Sequence, residues 1–208
     1  YFNQFFHDVR PGVNPEEQTS FPEKKRSEIT HKRQVEQIHM ALGYLLEAGS
    51  SRSVMALALF TNMIDGGMSF PLFQIVRNKY GLCYDIGCSI DKNSDCSTLY
   101  IYIGTDPKRY RNAEKLILQV IRDCKNDKTL LERAKSLSLG RLAMFYENPA
   151  SIMQNMAQQI LYRGKPKTKE ETINDIRSVT IEEVEEAVNA HLTEDSLNTV
   201  IVGPDSLT

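Results

Sequence analysis

The sequence predicts an α+β domain in which a mixed or antiparallel sheet carries helices on one face. Segments with the two-residue alternation of a strand occupy residues 34–46, 83–90, 97–104 and 197–202. Helical periodicity dominates between the last two of these segments. A short polar link joins the second and third strands, and hairpin strands are antiparallel, so the sheet cannot be purely parallel.

The first 33 residues show neither periodicity. Four residues interrupt any long element there, namely Pro11, Gly12, Pro15 and Pro22. We interpret residues 1–33 as a connecting segment over the surface, with a short helix over residues 1–8. We divide the chain into a linker or N-terminal extension (1–30) and one domain (31–208). Because the sequence does not start with Met, we expect it to be an excised part of something longer.

The first predicted strand and helix follow from their apolar positions. In the strand over residues 34–46, one set of residues is expected to face the helices: Ile38, Met40, Leu42, Tyr44 and Leu46. A helix is predicted over residues 53–65, with four candidates for burial: Val54, Leu57, Ala58 and Met63.

Residues 66–84, GGMSFPLFQIVRNKYGLCY, organise the predicted fold. A glycine pair opens a loop, and Ser69 is placed to cap a helix. Gly81 is expected to end that helix in the left-handed conformation. Arg77 then lies in the last helical turns and Tyr84 at the start of the next strand. Two strong hydrogen-bond donors therefore flank one sharp corner.

The remaining helices follow from periodicity and capping. A stripe ending at Cys124 predicts one helix after residue 107, and further helices are predicted over 130–146, 150–162, 168–178 and 180–191. Thr180 opens the last of these with a capping box. In the helix over 130–146 we expect four residues to face inward: Ala134, Leu137, Met144 and Phe145.

Composition excludes several classes of function. The formal net charge of −2 gives no electrostatic case for binding nucleic acid or an acidic membrane. No apolar run approaches the roughly 18 residues of a membrane span. The four cysteines (Cys83, Cys88, Cys96 and Cys124) lack C-x-x-C spacing. We interpret them as free buried thiols in a reducing compartment, which favours a cytoplasmic location.

No metal site is predicted within this chain. Its histidines are His7, His31, His39 and His191, and no pair has a spacing that places two imidazoles on one helix face. On one strand, His31 and His39 would lie roughly 26 Å apart at about 3.3 Å per residue, too far to share an ion. A G-x-S-x-G nucleophile elbow and a phosphate-binding loop are also absent from the sequence.

The predicted function therefore depends on the roles of Arg77 and Tyr84, and two interpretations of them stay open. In the structural reading, Arg77 complements a helix C-terminus and Tyr84 fills a strand face shared with Ile86 and Cys88. In the catalytic reading, guanidinium and phenol converge on one substrate carbonyl and stabilise a developing oxyanion. Loss of one such donor costs on the order of 3 kcal/mol.

The elements GGMS, LF, VR and GLCY within residues 66–84 resemble the insulinase/pitrilysin (inverzincin) family of zinc peptidases, in the C-terminal half of its two-half unit. Residues 36–43, EQIHMALG, resemble the family's opening strand. The resemblance spans about residues 30–203 and implies the processing-peptidase, LuxS-like metallohydrolase fold.

The resemblance also implies a mechanism shared between two half-domains that enclose a peptide as a clam-shell. The N-terminal half carries zinc on an H-x-x-E-H motif and a downstream Glu. The C-terminal half supplies an Arg and a Tyr, which correspond to Arg77 and Tyr84 and which help to bind the substrate backbone and stabilise the oxyanion. The implied partners are a peptide and a zinc-bearing half in the same longer chain or in a partner chain. Whether the protein also forms a homodimer stays open.

Two departures from the family pattern matter. Phe70 and Pro71 replace the usual Ser-Arg of the loop, and H-x-x-E-H is absent, so we expect this chain alone to be inactive. Three functions stay open: the substrate-binding half of a zinc endopeptidase, a non-catalytic subunit or scaffold of the same fold that acts in protein assembly, and a plain α+β interaction domain.

Overall fold

A mixed five-stranded sheet forms the centre of the structure. The computed structural model describes residues 25–46, 52–93 and 96–204. The strands are β1 (Ser27–Lys32), β2 (Ile38–Leu46), β3 (Asp85–Lys92), β4 (Ser97–Thr105) and β5 (Leu197–Gly203). Their spatial order is β1-β5-β2-β4-β3. Strands β1 and β5 are parallel and the other neighbours are antiparallel, which confirms the predicted mixed sheet and its hairpin.

Six α-helices and one π-helix accompany the sheet among the described residues. They are α1 (Arg52–Ile64), the π-helix (Leu72–Lys79), α2 (Tyr110–Cys124), α3 (Lys128–Phe145), α4 (Pro149–Arg163), α5 (Lys169–Ser178) and α6 (Ile181–His191). The predicted capping box is present, because Thr180 and Glu183 exchange hydrogen bonds at the start of α6. In the part of the chain that the structure describes, no helix is long and apolar enough to cross a membrane.

The core lies between the helices and one face of the sheet. All five inward positions predicted for β2 are buried, and so are Val54, Leu57 and Met63 of α1. The apolar stripe of α2 contributes Ile117 and Val120. Burial alternates strictly along β2, so the opposite face of the sheet lies away from the helices.

Strand β1 lies within the segment that we predicted to be irregular, so that prediction is wrong for residues 27–32. All six residues of β1 are exposed. A strand with neither face buried has no apolar alternation, and its one partner, β5, is about 170 residues away, so the local sequence carries no signal. The predicted helix over residues 1–8 lies outside the described residues, and the division at residue 30 stays a prediction.

The inward prediction for Met144 is also wrong, because this side chain is 64% exposed. Burial in α3 is confined to its first half, at Leu130, Leu131 and Ala134. The neighbouring helix α4 exposes four further large apolar residues: Met153, Met156, Ile160 and Leu161. Periodicity predicts an apolar stripe but does not say whether another element covers it.

Candidate functional site

The predicted corner exists, but the helix that leads into it is a π-helix. The Tyr80 N–H donates to the Ile75 carbonyl at 3.1 Å, which is the five-residue spacing of a π-helix. Gly81 has φ +59°, the left-handed conformation predicted for the end of the helix. The Leu82 N–H then donates back to the Val76 carbonyl at 3.0 Å and closes the corner.

The start of this helix differs from the prediction that Ser69 caps it. The residue before the helix is Pro71, and no side chain caps the first turn. Ser69 instead accepts hydrogen bonds from the Arg133 guanidinium of α3, at its carbonyl (3.2 Å) and at its hydroxyl (3.1 Å). The same guanidinium stacks over the Phe70 ring at 4.5 Å. An arginine from a distant helix therefore holds the loop where we expected a local cap.

Further contacts fix the glycine pair of this loop. Arg141 donates to the Asn62 side-chain oxygen at 2.8 Å and to the Gly66 carbonyl at 3.4 Å. Gly66 has no room for a side chain, since a Cβ would lie 2.5 Å from the Phe70 ring. Gly67 has φ +142°, which favours glycine. The loop is thus clamped between α1 and α3.

The far side of the corner is attached to the hairpin strands. The Thr105 hydroxyl donates to the Leu82 carbonyl, and Arg109 donates to the Gly81 carbonyl at 3.1 Å. At the end of α1, the Asp65 carboxylate accepts the Cys88 N–H of β3 at 2.6 Å. Burial raises the pKa of this carboxyl. These bonds tie the loop, the π-helix and the hairpin into one support.

Arg77 is exposed near the end of the π-helix. Its guanidinium lies 4.7 Å above the Phe73 ring, so the ring orients it from below. No carboxylate of the described residues forms an ion pair with it. The charge is therefore available to a ligand as far as the described structure goes. Arg77 also lies in the last turn of the π-helix, as expected if it complements the helix C-terminus.

Tyr84 lies just before β3, and its backbone N–H donates to the Gly104 carbonyl at 2.9 Å. Its side chain is 64% exposed, whereas Ile86 is 8% exposed. The structural reading, in which Tyr84 fills the same packed face as Ile86, is therefore wrong. The structure places Arg77 and Tyr84 on either side of Gly81, both exposed, and no hydrogen bond joins the two side chains.

The predicted separation of His31 and His39 assumed that both lie on one strand, and this assumption is wrong. His31 and His39 lie on different strands, β1 and β2, and both are registered with Val202 of β5 between them. Two strand spacings separate them, about 10 Å. Among the described residues, no group of three or more His, Cys, Asp or Glu side chains could hold a metal ion.

Cys83, Cys88 and Cys124 are free thiols, as predicted. Cys83 and Cys124 are buried, and burial raises the pKa of each thiol to about 11. Cys88 and Cys96 are only partly buried, so the prediction of burial holds for two of the four cysteines. High pKa values keep Cys83 and Cys124 protonated and therefore poor nucleophiles.

A polar group that the sequence analysis missed lies beside the corner, on the face of the sheet opposite the described helices. His39 is registered with Gly104, and Gly104 with Asp85. The Tyr102 hydroxyl lies 2.7 Å from Nδ1 of His39. The alternation along β2 and β4 predicts that His39 and Tyr102 lie on the outer face. The register that brings them together cannot be predicted from local sequence.

The mixed sheet, its single covered face and the corner at Gly81 define a half-domain of the zinc-peptidase type that the sequence resembles. A sequence model of the family described as "Peptidase M16 inactive domain" matches residues 1–138. The chain therefore belongs to the peptidase M16 family, as its inactive C-terminal domain. This confirms the resemblance to the insulinase/pitrilysin-type zinc peptidases.

Relatives and solved structures agree with this assignment. The chain is 32% identical over 178 residues to the "Uncharacterized zinc protease YmxG" of Bacillus subtilis, which covers 84% of the chain and 43% of that protein. It is 29% identical over 175 residues to the "Uncharacterized zinc protease Mb2805c" of Mycobacterium bovis, covering 83% and 40%. The chain thus spans less than half the length of these relatives.

Among solved structures, a peptidase M16 inactive domain from Pseudomonas fluorescens superimposes with a TM-score of 0.74 at 21% identity, covering 92% of this chain and 46% of that one. A protease from Helicobacter pylori gives a TM-score of 0.77 at 14% identity, covering 87% and 45%. At these identities, the likeness shows the fold.

Proposed function

We propose that this chain is the substrate-binding half of a zinc endopeptidase, in which Arg77 and Tyr84 bind the substrate backbone and stabilise the oxyanion. The observation that carries the proposal is the corner itself. Two exposed donors flank a left-handed glycine, and hydrogen bonds from Thr105 of β4 and from Arg109 hold the segment between them. A rigid support reduces the reorganisation that donors need when charge develops on a substrate oxygen.

Zinc would belong to the other half of the enzyme. The described residues of this chain offer no suitable ligand cluster, so no step is assigned to the metal here. The role of this chain is to bind and orient the peptide. A guanidinium donates two parallel hydrogen bonds and keeps its charge at any accessible pH. A phenol adds one more donor. Together, the guanidinium and the phenol suit the carbonyl oxygens of a peptide main chain.

Both donors are available for this role. Arg77 rests on an aromatic ring and Tyr84 extends into solvent, so a ligand can reach them without displacing core side chains. The partner half could be in the same longer chain or in a partner chain, and peptide binding takes place between the halves. The cytoplasmic location suggested by the free thiols is part of the same proposal.

The test assembles this chain with its zinc-bearing half and measures kcat/KM for an internally quenched peptide. We expect Arg77→Ala and Tyr84→Phe to lower kcat/KM by about 10²–10³-fold. Arg77→Lys should recover little activity, because a lysine lacks the planar fork. Since both side chains are exposed and Arg77→Ala removes the contact with the Phe73 ring, stability should change by no more than about 1 kcal/mol.

Two matched controls come from the same helix end. Lys79 and Tyr80 are also an exposed cation and an exposed phenol, so Lys79→Ala and Tyr80→Phe should leave kcat/KM unchanged. Unchanged kcat/KM in Arg77→Ala would refute the catalytic role. Absence of cleavage by the wild-type assembly would instead favour the second candidate, a non-catalytic assembly subunit, for which the exposed apolar residues of α4 would be a contact surface.

A further inference from the structure

The face of the sheet opposite the described helices carries a polar cluster that the corner does not use. Gln37, His39, Asp85 and Tyr102 surround Gly104, and we name these five residues the Gly104 cluster. His39, Gly104 and Asp85 stand in one row across β2, β4 and β3. Residues directly opposite in neighbouring strands share a face, so all three lie on the side that the helices leave uncovered.

Gly104 lies buried at the centre of this cluster. A Cβ on Gly104 would lie 3.5 Å from the Tyr102 hydroxyl, 3.9 Å from Oε1 of Gln37 and 4.0 Å from Cβ of Asp85. The Gly104 backbone is therefore covered by its neighbours' side chains, and two of the three nearest atoms are polar oxygens. Gln37, His39 and Asp85 are themselves exposed, so a ligand can approach from solvent.

The Tyr102–His39 contact orients the imidazole. The hydroxyl lies 2.7 Å from Nδ1, and the two rings are nearly parallel, 24° apart with centroids 6.0 Å from each other. Burial, with a smaller contribution from the Asp85 charge, raises the pKa of Tyr102, so this phenol keeps its proton. When the phenol donates to Nδ1, the proton of a neutral imidazole lies on Nε2, which makes Nε2 a donor.

The cluster and the corner are joined through one residue. The Gly104 carbonyl accepts the Tyr84 N–H at 2.9 Å, and the next residue, Thr105, donates to the Leu82 carbonyl. An extended peptide advances about 3.3 Å per residue. A peptide held at Tyr84 therefore reaches the Gly104 row within a few residues.

We propose that the Gly104 cluster is a second binding site for the main chain of an extended peptide, next to the Arg77–Tyr84 corner. The His39 imidazole donates to a peptide carbonyl, and the Asp85 carboxylate accepts a peptide N–H. Tyr102 is a positioning residue that holds the imidazole. His39 and Asp85 thus present an exposed donor and an exposed acceptor in one row across the sheet, the two kinds of group that pair with the C=O and N–H of a peptide backbone. This inference rests on the proposed peptidase function.

The test uses the chain assembled with its zinc-bearing half and one internally quenched peptide that the assembly cleaves. We expect His39→Ala and Asp85→Asn to raise KM about tenfold with little change in kcat. Tyr102→Phe should raise KM less, and His39→Gln, which keeps a donor, should restore part of the binding. His31→Ala is the matched control, because His31 is exposed on the same face two strands away, and its KM should not change.

A second measurement separates this inference from the proposed function. Binding of fluorescein-labelled casein peptides to the assembly is followed by anisotropy, without cleavage as the readout. If Arg77→Ala lowers kcat while His39→Ala and Asp85→Asn change neither KM nor Kd, the second site is refuted and the proposed function stands. If the wild type cleaves nothing but its peptide affinity falls in His39→Ala and not in His31→Ala, the second site stands without the peptidase role. If the wild type binds no peptide, both are refuted.

Discussion

Replacement of Gly66 by alanine tests the support on which the Arg77 corner rests. The added Cβ would lie 2.5 Å from two atoms of the Phe70 ring and 2.8 Å from the Asn62 carbonyl oxygen. The ring can rotate away, but the carbonyl belongs to the backbone of α1 and cannot. Displacement of Phe70 would also disturb its stacking against Arg133.

The expected loss of stability follows from these contacts. Overpacking of a tight site costs about 1–3 kcal/mol, and an exposed cation–π contact contributes about 0.5–1 kcal/mol. We therefore expect Gly66→Ala to lower the free energy of unfolding by about 2–3 kcal/mol. Urea denaturation followed by far-UV circular dichroism measures this change on the chain by itself.

The chain offers a control with the same chemical change and the opposite sign. Gly140 lies inside α3, and no atom lies within 4 Å of its added Cβ. Gly140→Ala should therefore raise the free energy of unfolding by about 0.5–1 kcal/mol. A Gly66→Ala variant as stable as the wild type would refute the clamped loop. In a Phe70→Ala background, Gly66→Ala should cost less than in the wild type but still destabilise, because only the clash with the Asn62 carbonyl remains.

Three further predictions concern Gly81, Asp65 and the Arg52–Glu183 ion pair. Gly81→Ala should lower the free energy of unfolding, measured by urea denaturation, by about 1–2 kcal/mol. No atom lies near the added Cβ, so the cost comes from the left-handed backbone alone, and Gly81→Asn should cost less. Burial raises the pKa of Asp65, so its ionised form is disfavoured in the folded state; the wild type should gain stability relative to Asp65→Asn as pH falls from 7 towards about 4. The Arg52 hydrogen bond lowers the pKa of Glu183, so this stabilisation is present at neutral pH; relative to Glu183→Gln, the wild type should lose stability as pH falls below about 4. A wild type whose stability relative to Asp65→Asn falls with pH would contradict the first assignment, and one whose stability relative to Glu183→Gln does not fall would contradict the second.

Elements whose signals are local were predictable from sequence. The Thr180 capping box needs only residues three positions apart, and the β3–β4 hairpin needs only two strands and their link. Gly81 was predictable as well, because few residues tolerate a left-handed backbone. The exposure of Arg77 and Tyr84 agrees with the role that the family resemblance suggested, but their roles stay predictions.

Features that depend on distant pairing were not predictable. Strand β1 has no buried face and pairs with a strand about 170 residues away. The apolar positions Leu72 and Val76 suit an α-helix and a π-helix alike, so spacing could not show the π-helix. The Gly104 cluster draws side chains from three strands, and only the register of the sheet brings them together.

The position of β5 has a consequence for how the domain is made. Strands β1 and β2 are joined by a link of only five residues, yet β5 lies between them and pairs with both. During synthesis, the first two strands emerge long before residues 197–203 leave the ribosome. The sheet therefore closes only after those seven residues are released and insert between two strands made earlier. Such late, long-range closure makes folding slow and leaves unpaired strand edges exposed in the nascent chain.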